Sequence, residues 1–363
     1  MTTQERLMDI FRKSVEMGAS DIMIVPDSPV MIKASGVLNR YGTEPLSDAE
    51  SNELVRGLFA MADDRSMRRL LELGDDDFAI NIPGLVRFRV NTFKQQGVTS
   101  SVLRLIPNAM PDPVKLGIPQ KILDLYDLKR GIVLVTGPTG SGKTTTLAAI
   151  IDRMNHNLPH HIITIEDPIE FVHKNDKSIV SQREVGRDTQ TFESALRVAL
   201  RQAPNAILVG EMRDYETISI AVTAAETGQY VLSTLHTVGA ANTIDRIIDI
   251  FPPNQQPQIR VQLSMTIQAV VSQQLIPKIG GGATVAFEIM LANNAIRNQI
   301  REGKTHQISN SIFTGREQGM ILMDDSLLNL YNSGKITAEN CYLYAMDKEN
   351  MKLRLGQAGR FLK

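Results

Sequence analysis

From Gly131 onward the chain alternates short apolar runs with amphipathic stretches. The runs occupy residues 132–135, 162–165, 206–209 and 230–235. They lack polar alternation, which suits strands buried on both faces, as in a parallel sheet wrapped by helices. The first third reads differently. Leu7, Ile10, Phe11 and Val15 recur at helical spacing before Gly18, so the pattern predicts a helix over 3–17. Residues 21–25 and 30–34 read as strands around a turn at 26–29. Residues 78–82 and 86–93 flank Pro83 and Gly84 as a hairpin, and 100–106 supply one more strand. These elements make a small α+β unit.

Pro107, Pro111, Pro113 and Pro119 then crowd a short segment, too many for regular structure and stiff enough to act as a linker. The expected organisation is a domain over 1–106, a linker over 107–119 and a larger domain over 120–363. Past Pro253, helical periodicity is read from 256 to 274 and again toward the C-terminus. One strand, 285–290, is expected to interrupt it.

Length and composition narrow the classes. A chain of 363 residues favours two or three domains. No apolar run approaches the roughly 18 residues of a membrane span, and the N-terminus starts polar, unlike a signal peptide. The single cysteine, Cys341, leaves no internal disulfide or cysteine-rich zinc site. These features predict a cytoplasmic protein. With 39 basic and 40 acidic residues, 5% aromatics and no tryptophan, no basic or stacking track for nucleic acid is visible. The clusters Arg68-Arg69 and Lys129-Arg130 sit among acids and read as solvated faces.

The chemistry begins at Gly137. Residues 137–144 match G-x-x-x-x-G-K-[ST] at every fixed position, after one apolar run and before a helix expected from Thr144. Gly137, Pro138, Thr139, Gly140, Ser141, Gly142, Lys143, Thr144 and Thr145 are therefore expected to hold the phosphates of ATP. Glycine-rich backbone supplies N–H donors, Lys143 reaches the β- and γ-phosphates, and the Thr144 hydroxyl faces Mg²⁺. The run 162–165 ends in Glu166 and Asp167, and Pro168 forces an extended exit that carries Glu170. Acids placed there can orient water or magnesium, or merely cap the next segment. The run 206–209 leads through Gly210 to Glu211, a Walker B pattern in which the carboxylate holds Mg²⁺ through water. Gly210 stands where aspartate is usual. His236 follows the run 230–235 at the strand end, as a sensor beside the γ-phosphate or a structural histidine. Arg87 and Arg89 alternate on one strand face, with Arg104 on a later strand. They read equally as solvated residues or as a phosphate clamp.

Taken in order, the phosphate loop, the 165–171 acidic segment, residues 182–185, 210–214, 225–228 and 234–236 resemble the secretion ATPase superfamily. They look most like the PilT-type retraction ATPases of bacterial type IV pili. The resemblance implies an α/β fold: a RecA-like P-loop ATPase domain preceded by a smaller PAS-like α+β domain, with a helical C-terminal part. It implies Glu170 as general base, Glu211 as Walker B carboxylate, His236 in the His box, and Arg89 and Arg104 as arginine fingers. It implies ATP and Mg²⁺ as ligands and a homohexamer at the inner face of the cytoplasmic membrane. The partners it implies are an inner-membrane pilus platform protein and a second retraction ATPase, with no nucleic acid. The absence of a tetracysteine insertion, and residues 295–304, resemble retraction rather than assembly members. On a helix, Ile296 and Ile300 would share one face and Arg297 and Arg301 the next. That is either an ordinary amphipathic helix with its arginines in water or a surface that passes motion to the pilus. Gln229 and Met23 depart from the family pattern. The rival functions are a RecA-like nucleic-acid translocase, another secretion ATPase acting in pilus assembly or protein secretion, and a non-hydrolysing scaffold.

Overall fold

The computed structural model describes residues 2–34, 36–63, 65–106 and 110–357. The chain forms two compact units, residues 1–109 with 170–172, and residues 110–169 with 173–363. Pro107, at the head of the expected linker, and residues 358–363 lie outside the described residues.

The first unit runs α1 (Thr3–Glu16), β1 (Ala19–Ile24), β2 (Val30–Ala34), β3 (Val37–Tyr41), α2 (Asp48–Ala60), α3 (Arg68–Leu73), β4 (Asp75–Ile82), β5 (Val86–Gln95) and β6 (Val98–Ile106). Its six strands pair antiparallel in the order β3-β2-β1-β6-β5-β4. Both long helices start with reciprocal caps, Thr2 with Glu5 and Ser47 with Glu50, which satisfy the first free N–H groups. Leu7, Ile10 and Phe11 of α1 and Leu54 and Leu58 of α2 are fully covered by Ile22, Phe88, Val90 and Leu103 of the sheet. Each such side chain contributes about 1.5–3 kcal/mol. The opposite sheet face carries the alternating residues Arg87, Arg89 and Asn91, all only half-buried.

The second unit continues with α4 (Gln120–Leu123), β7 (Gly131–Thr136), α5 (Lys143–Asn157), β8 (His161–Glu166), β9 (Ile179–Glu184), α6 (Phe192–Ala199), β10 (Ala206–Val209), α7 (Tyr215–Glu226), β11 (Tyr230–Leu235), α8 (Ala240–Asp249), α9 (Gln256–Thr266), β12 (Ile267–Pro277), β13 (Ala283–Leu291), α10 (Asn294–Arg301), α11 (Ile308–Thr314), α12 (Met323–Asn332), α13 (Ala338–Leu343) and α14 (Lys348–Gln357). The sheet order is β13-β12-β7-β11-β10-β8-β9. All neighbours are parallel except β12 and β13. The burial expected of β7 holds on both sides. Ile132 and Leu134 enter one core with α7 and α8, whereas Val133 and Val135 enter another with α5.

One expected element is corrected. The helix read over 256–274 ends at Thr266, and residues 267–277 form β12. Ile267 turns to extended backbone, and Val270 and Val271 then pair with β7 and pack in the sheet core. Their β-branched side chains suit that pleated surface better than a helix. The α5 helix begins at Lys143, one residue before the expected start. No helix among the described residues is long and apolar enough to cross a membrane.

Candidate functional site

The parallel strands deliver their polar residues to one end of the second unit. Register pairs Leu235 with Thr136, and Val209 with both Ser233 and Ile165. The strand ends therefore present, side by side, the loop after β7, His236 after β11, Glu211 after β10 and Glu166 on β8. Polar chemistry collects at such carboxyl ends in open α/β sheets.

The loop after β7 is a backbone cradle. Gly137 has φ 142° and Gly142 has φ 89°, values that side-chain-bearing residues rarely adopt. A Cβ on Gly137 would also lie 2.1 Å from the Gln273 carbonyl oxygen, so the close approach admits no side chain. Lys143 is buried and its Nζ donates to the carbonyls of Gly137 (2.9 Å) and Pro138 (3.0 Å), folding the side chain back across the loop. Thr144 and Thr145, in the first turn of α5, remain half-buried.

Across the sheet the acids are held by specific donors. Glu166 is buried and its Oε1 accepts from the Thr164 hydroxyl (2.6 Å) and from Gln182 Nε2 (3.1 Å). Glu211 Oε2 lies 2.7 Å from Arg213 Nε and 3.6 Å from His236 Nε2. The backbone beneath Glu211 is pinned: Gly210 N–H donates to Ile165 O (2.7 Å), and the Thr234 hydroxyl donates to Gly210 O (2.6 Å). A Cβ at Gly210 would lie 3.2 Å from Ile165 O, so the residue before Glu211 favours glycine over the aspartate common in this pattern. Glu170, past Pro168, groups with the first unit.

In the first unit Arg89 and Arg104 face each other in register on β5 and β6. With Asp21, Asp77, Asn91 and Val102 they line one recess, and Arg104 Nε lies 3.1 Å from Asp21 Oδ1. The sheet thus brings the two arginines together on one face.

Sequence reasoning missed the residues that hold the site in shape. Gln273 and Ser272 of β12 fell in the segment read as helix. Ser272 Oγ accepts from Gly239 N–H (2.9 Å), just past His236. Buried Glu288 of β13 accepts from Ala240 N–H (2.7 Å) and Met323 N–H (3.2 Å), so it joins the starts of α8 and α12. The β-branched pair Val270-Val271 was the available signal for β12. The reading of both arginines as side chains in water is corrected for Arg297, which is only partly exposed. Its Nη1 donates to Ser264 O (2.9 Å) and Met265 O (3.0 Å), and its Nη2 to Gln268 Oε1 (3.0 Å), capping the end of α9. Ile296 and Ile300 are fully buried, and Arg301 is exposed.

A P-loop opening a helix beside aligned carboxylate and histidine strand ends defines a nucleotide-binding P-loop ATPase fold. The chain belongs to the Type II/IV secretion system protein family, whose family model matches residues 2–357. It is 46% identical over 344 residues to the type IV pilus retractation ATPase PilT of Pseudomonas aeruginosa, covering 95% of this chain and 99% of that protein. It is 44% identical over 322 residues to a twitching motility protein of Neisseria gonorrhoeae, covering 88% and 85%. A solved crystal structure of the pilus retraction motor PilT with bound ADP superposes with a TM-score of 0.89 at 43% identity, covering 97% of this chain and 99% of that one.

Proposed function

We propose that this protein is an ATP-hydrolysing motor that powers retraction of type IV pili. The observation that carries the reading is the likeness, over 97% of the chain, to a retraction motor that holds ADP. The cradle at Gly137–Thr144 receives the phosphates, and Lys143 leaves its carbonyl partners to neutralise them. Magnesium suits the oxygen donors present: Thr144 and Glu211 offer a hydroxyl and a carboxylate, both partly open to water that can complete the shell. When bound, that ion supplies charge neutralisation to the phosphates. Glu211, flanked by Arg213 and His236, is the carboxylate that would hold it together with Thr144. Glu170 takes the proton of the attacking water. Arg89 and Arg104 supply positive charge to the phosphoryl group in the transition state.

The domain division at 1–106, 107–119 and 120–363 belongs to the same reading. Six copies form the working ring, at the cytoplasmic face of the inner membrane. The ring acts on a membrane-embedded platform protein, with a second retraction ATPase as a further partner and no nucleic acid. The test replaces the gene with Lys143→Ala and deletes it in parallel. Surplus pili without twitching in both strains, and loss of ATP turnover in the purified folded variant, are expected. Bald cells would reassign the protein to pilus assembly. ATP turnover that rises with added DNA would make it a translocase.

A further inference from the structure

Gln273 sits near the middle of β12, fully buried, and meets the phosphate loop at two places and the helix that follows it at a third. Its backbone carbonyl abuts Gly137 at the start of the loop. Its side-chain Nε2 donates to the Ser141 carbonyl near the loop's end. Its Oε1 accepts from the Thr146 hydroxyl at 3.0 Å, in the helix the loop opens.

The Ser141 contact has a geometric consequence. A trans peptide is planar, so the carbonyl of Ser141 and the N–H of Gly142 point in opposite directions. Holding that carbonyl against β12 turns the Gly142 N–H away from β12, to the side where a cradle of this type presents its donors to phosphate. Gly142, at φ 89°, lacks the side chain that would otherwise resist rotation of this peptide. A flipped peptide would aim a carbonyl dipole at the anion instead. Thr146 keys the amide: with its hydroxyl donating to Oε1, the nitrogen is the end left to face Ser141. A carboxylate at position 273 would set an acceptor against that carbonyl.

We propose that Gln273 is a positioning residue for nucleotide binding, one that locks the Ser141–Gly142 peptide with its N–H toward the phosphates, and that Thr146 sets the orientation of its amide. The proposal rests on the reading of this loop as the phosphate site. The role lies in neither of the strand-end carboxylates, and it gives a reason for a fully buried amide, hydrogen-bonded at both its nitrogen and its oxygen, on the strand beside the loop.

The experiment titrates full-length protein with a fluorescent ADP analogue and records nucleotide-free thermal midpoints. Gln273→Met keeps the side-chain length but removes both hydrogen bonds. It is expected to bind about tenfold more weakly, the scale of one to two net hydrogen bonds. Thr146→Val is expected to bind about threefold more weakly, and the double variant no more weakly than Gln273→Met alone, because both act through one amide. Gln273→Glu is expected to bind worst of the three single variants. A residue that only packed the core would lower the thermal midpoint and leave the affinity of the folded protein within twofold of wild type. That result, or losses that multiply in the double variant, overturns the proposal. If Gln273→Met does not fold, unchanged binding by Thr146→Val overturns it as well. Equal binding by wild type and Lys143→Ala would instead remove the phosphate-site reading beneath it.

Discussion

Arg297 and Arg301, four residues apart on α10, separate into a buttress and a surface residue, and their single variants should diverge. Arg297→Ala removes three hydrogen bonds from a charged donor, two of them to carbonyls at the end of α9. The guanidinium is only half-buried, so water refills part of what is lost, and each bond is taken at about 0.5–1 kcal/mol. The charge at a helix C-terminus adds about 0.3–1 kcal/mol. The sum is about 2–4 kcal/mol, and at roughly 2–4 °C per kcal/mol for a domain of this size the thermal midpoint should fall by roughly 4–16 °C. Arg297→Lys keeps the charge but not the planar fork that reaches three acceptors, so it should recover less than half of the loss. Arg301 is exposed in the last turn of α10, and Arg301→Ala should move the midpoint by less than about 2 °C. Differential scanning calorimetry of the three purified variants decides the matter. A midpoint for Arg297→Ala within 2 °C of wild type, or an equal drop for Arg301→Ala, would refute the buttress. The separation also matters for motility. A double variant mixes folding with coupling, whereas Arg301→Ala alone tests whether this helix transmits motion while ATP turnover stays intact.

Glu170→Gln should still bind nucleotide but hydrolyse it roughly 10²–10⁴-fold more slowly; greater damage from Glu166→Gln in the same phosphate-release assay would move the base to Glu166. Burial raises the Glu288 carboxyl above its ordinary range, against the opposing pull of two backbone N–H groups. The native state therefore keeps a proton that the unfolded chain releases near pH 4.3, and stability should fall as pH rises from about there through the raised value. Glu288→Gln should lack that slope in midpoints measured against pH, and a slope unchanged in the variant would assign it to another group.

Legibility followed burial pattern. The strands β7, β8, β10 and β11 were readable because uninterrupted apolar runs leave no other home than a sheet covered on both faces, and the glycine-lysine-threonine spacing marked the loop between them. β3 and β9 escaped notice for the opposite reason. Val37 and Leu38 are exposed, and along β9 only Glu184 is buried, so neither strand carries an apolar stripe. β12 was lost because it follows α9 without a break, and the period changes at Ile267 with no glycine or proline to mark it. With it went Gln273, whose partners Ser141 and Thr146 lie far away in sequence. Arg297 could be placed on a helix face from spacing, but which backbone carbonyls that face would meet depends on the end of α9. Tertiary contact of this kind leaves no local trace.

The contact between Ser141 and Gln273 spans 132 residues of chain, which sets a timetable for synthesis. Every phosphate-side motif, through His236, leaves the ribosome before the strand that props the phosphate loop. A nascent chain at that stage can pair β7, β8, β10 and β11, yet Gly137 and Ser141 still face water where β12 belongs. Long-range pairing of this kind is slow, because the entropy of closing a long loop is lost before the contact is gained. If Gln273 positions the loop as proposed, a fragment ending after His236 would carry every motif of the phosphate site yet lack the strand that braces its loop.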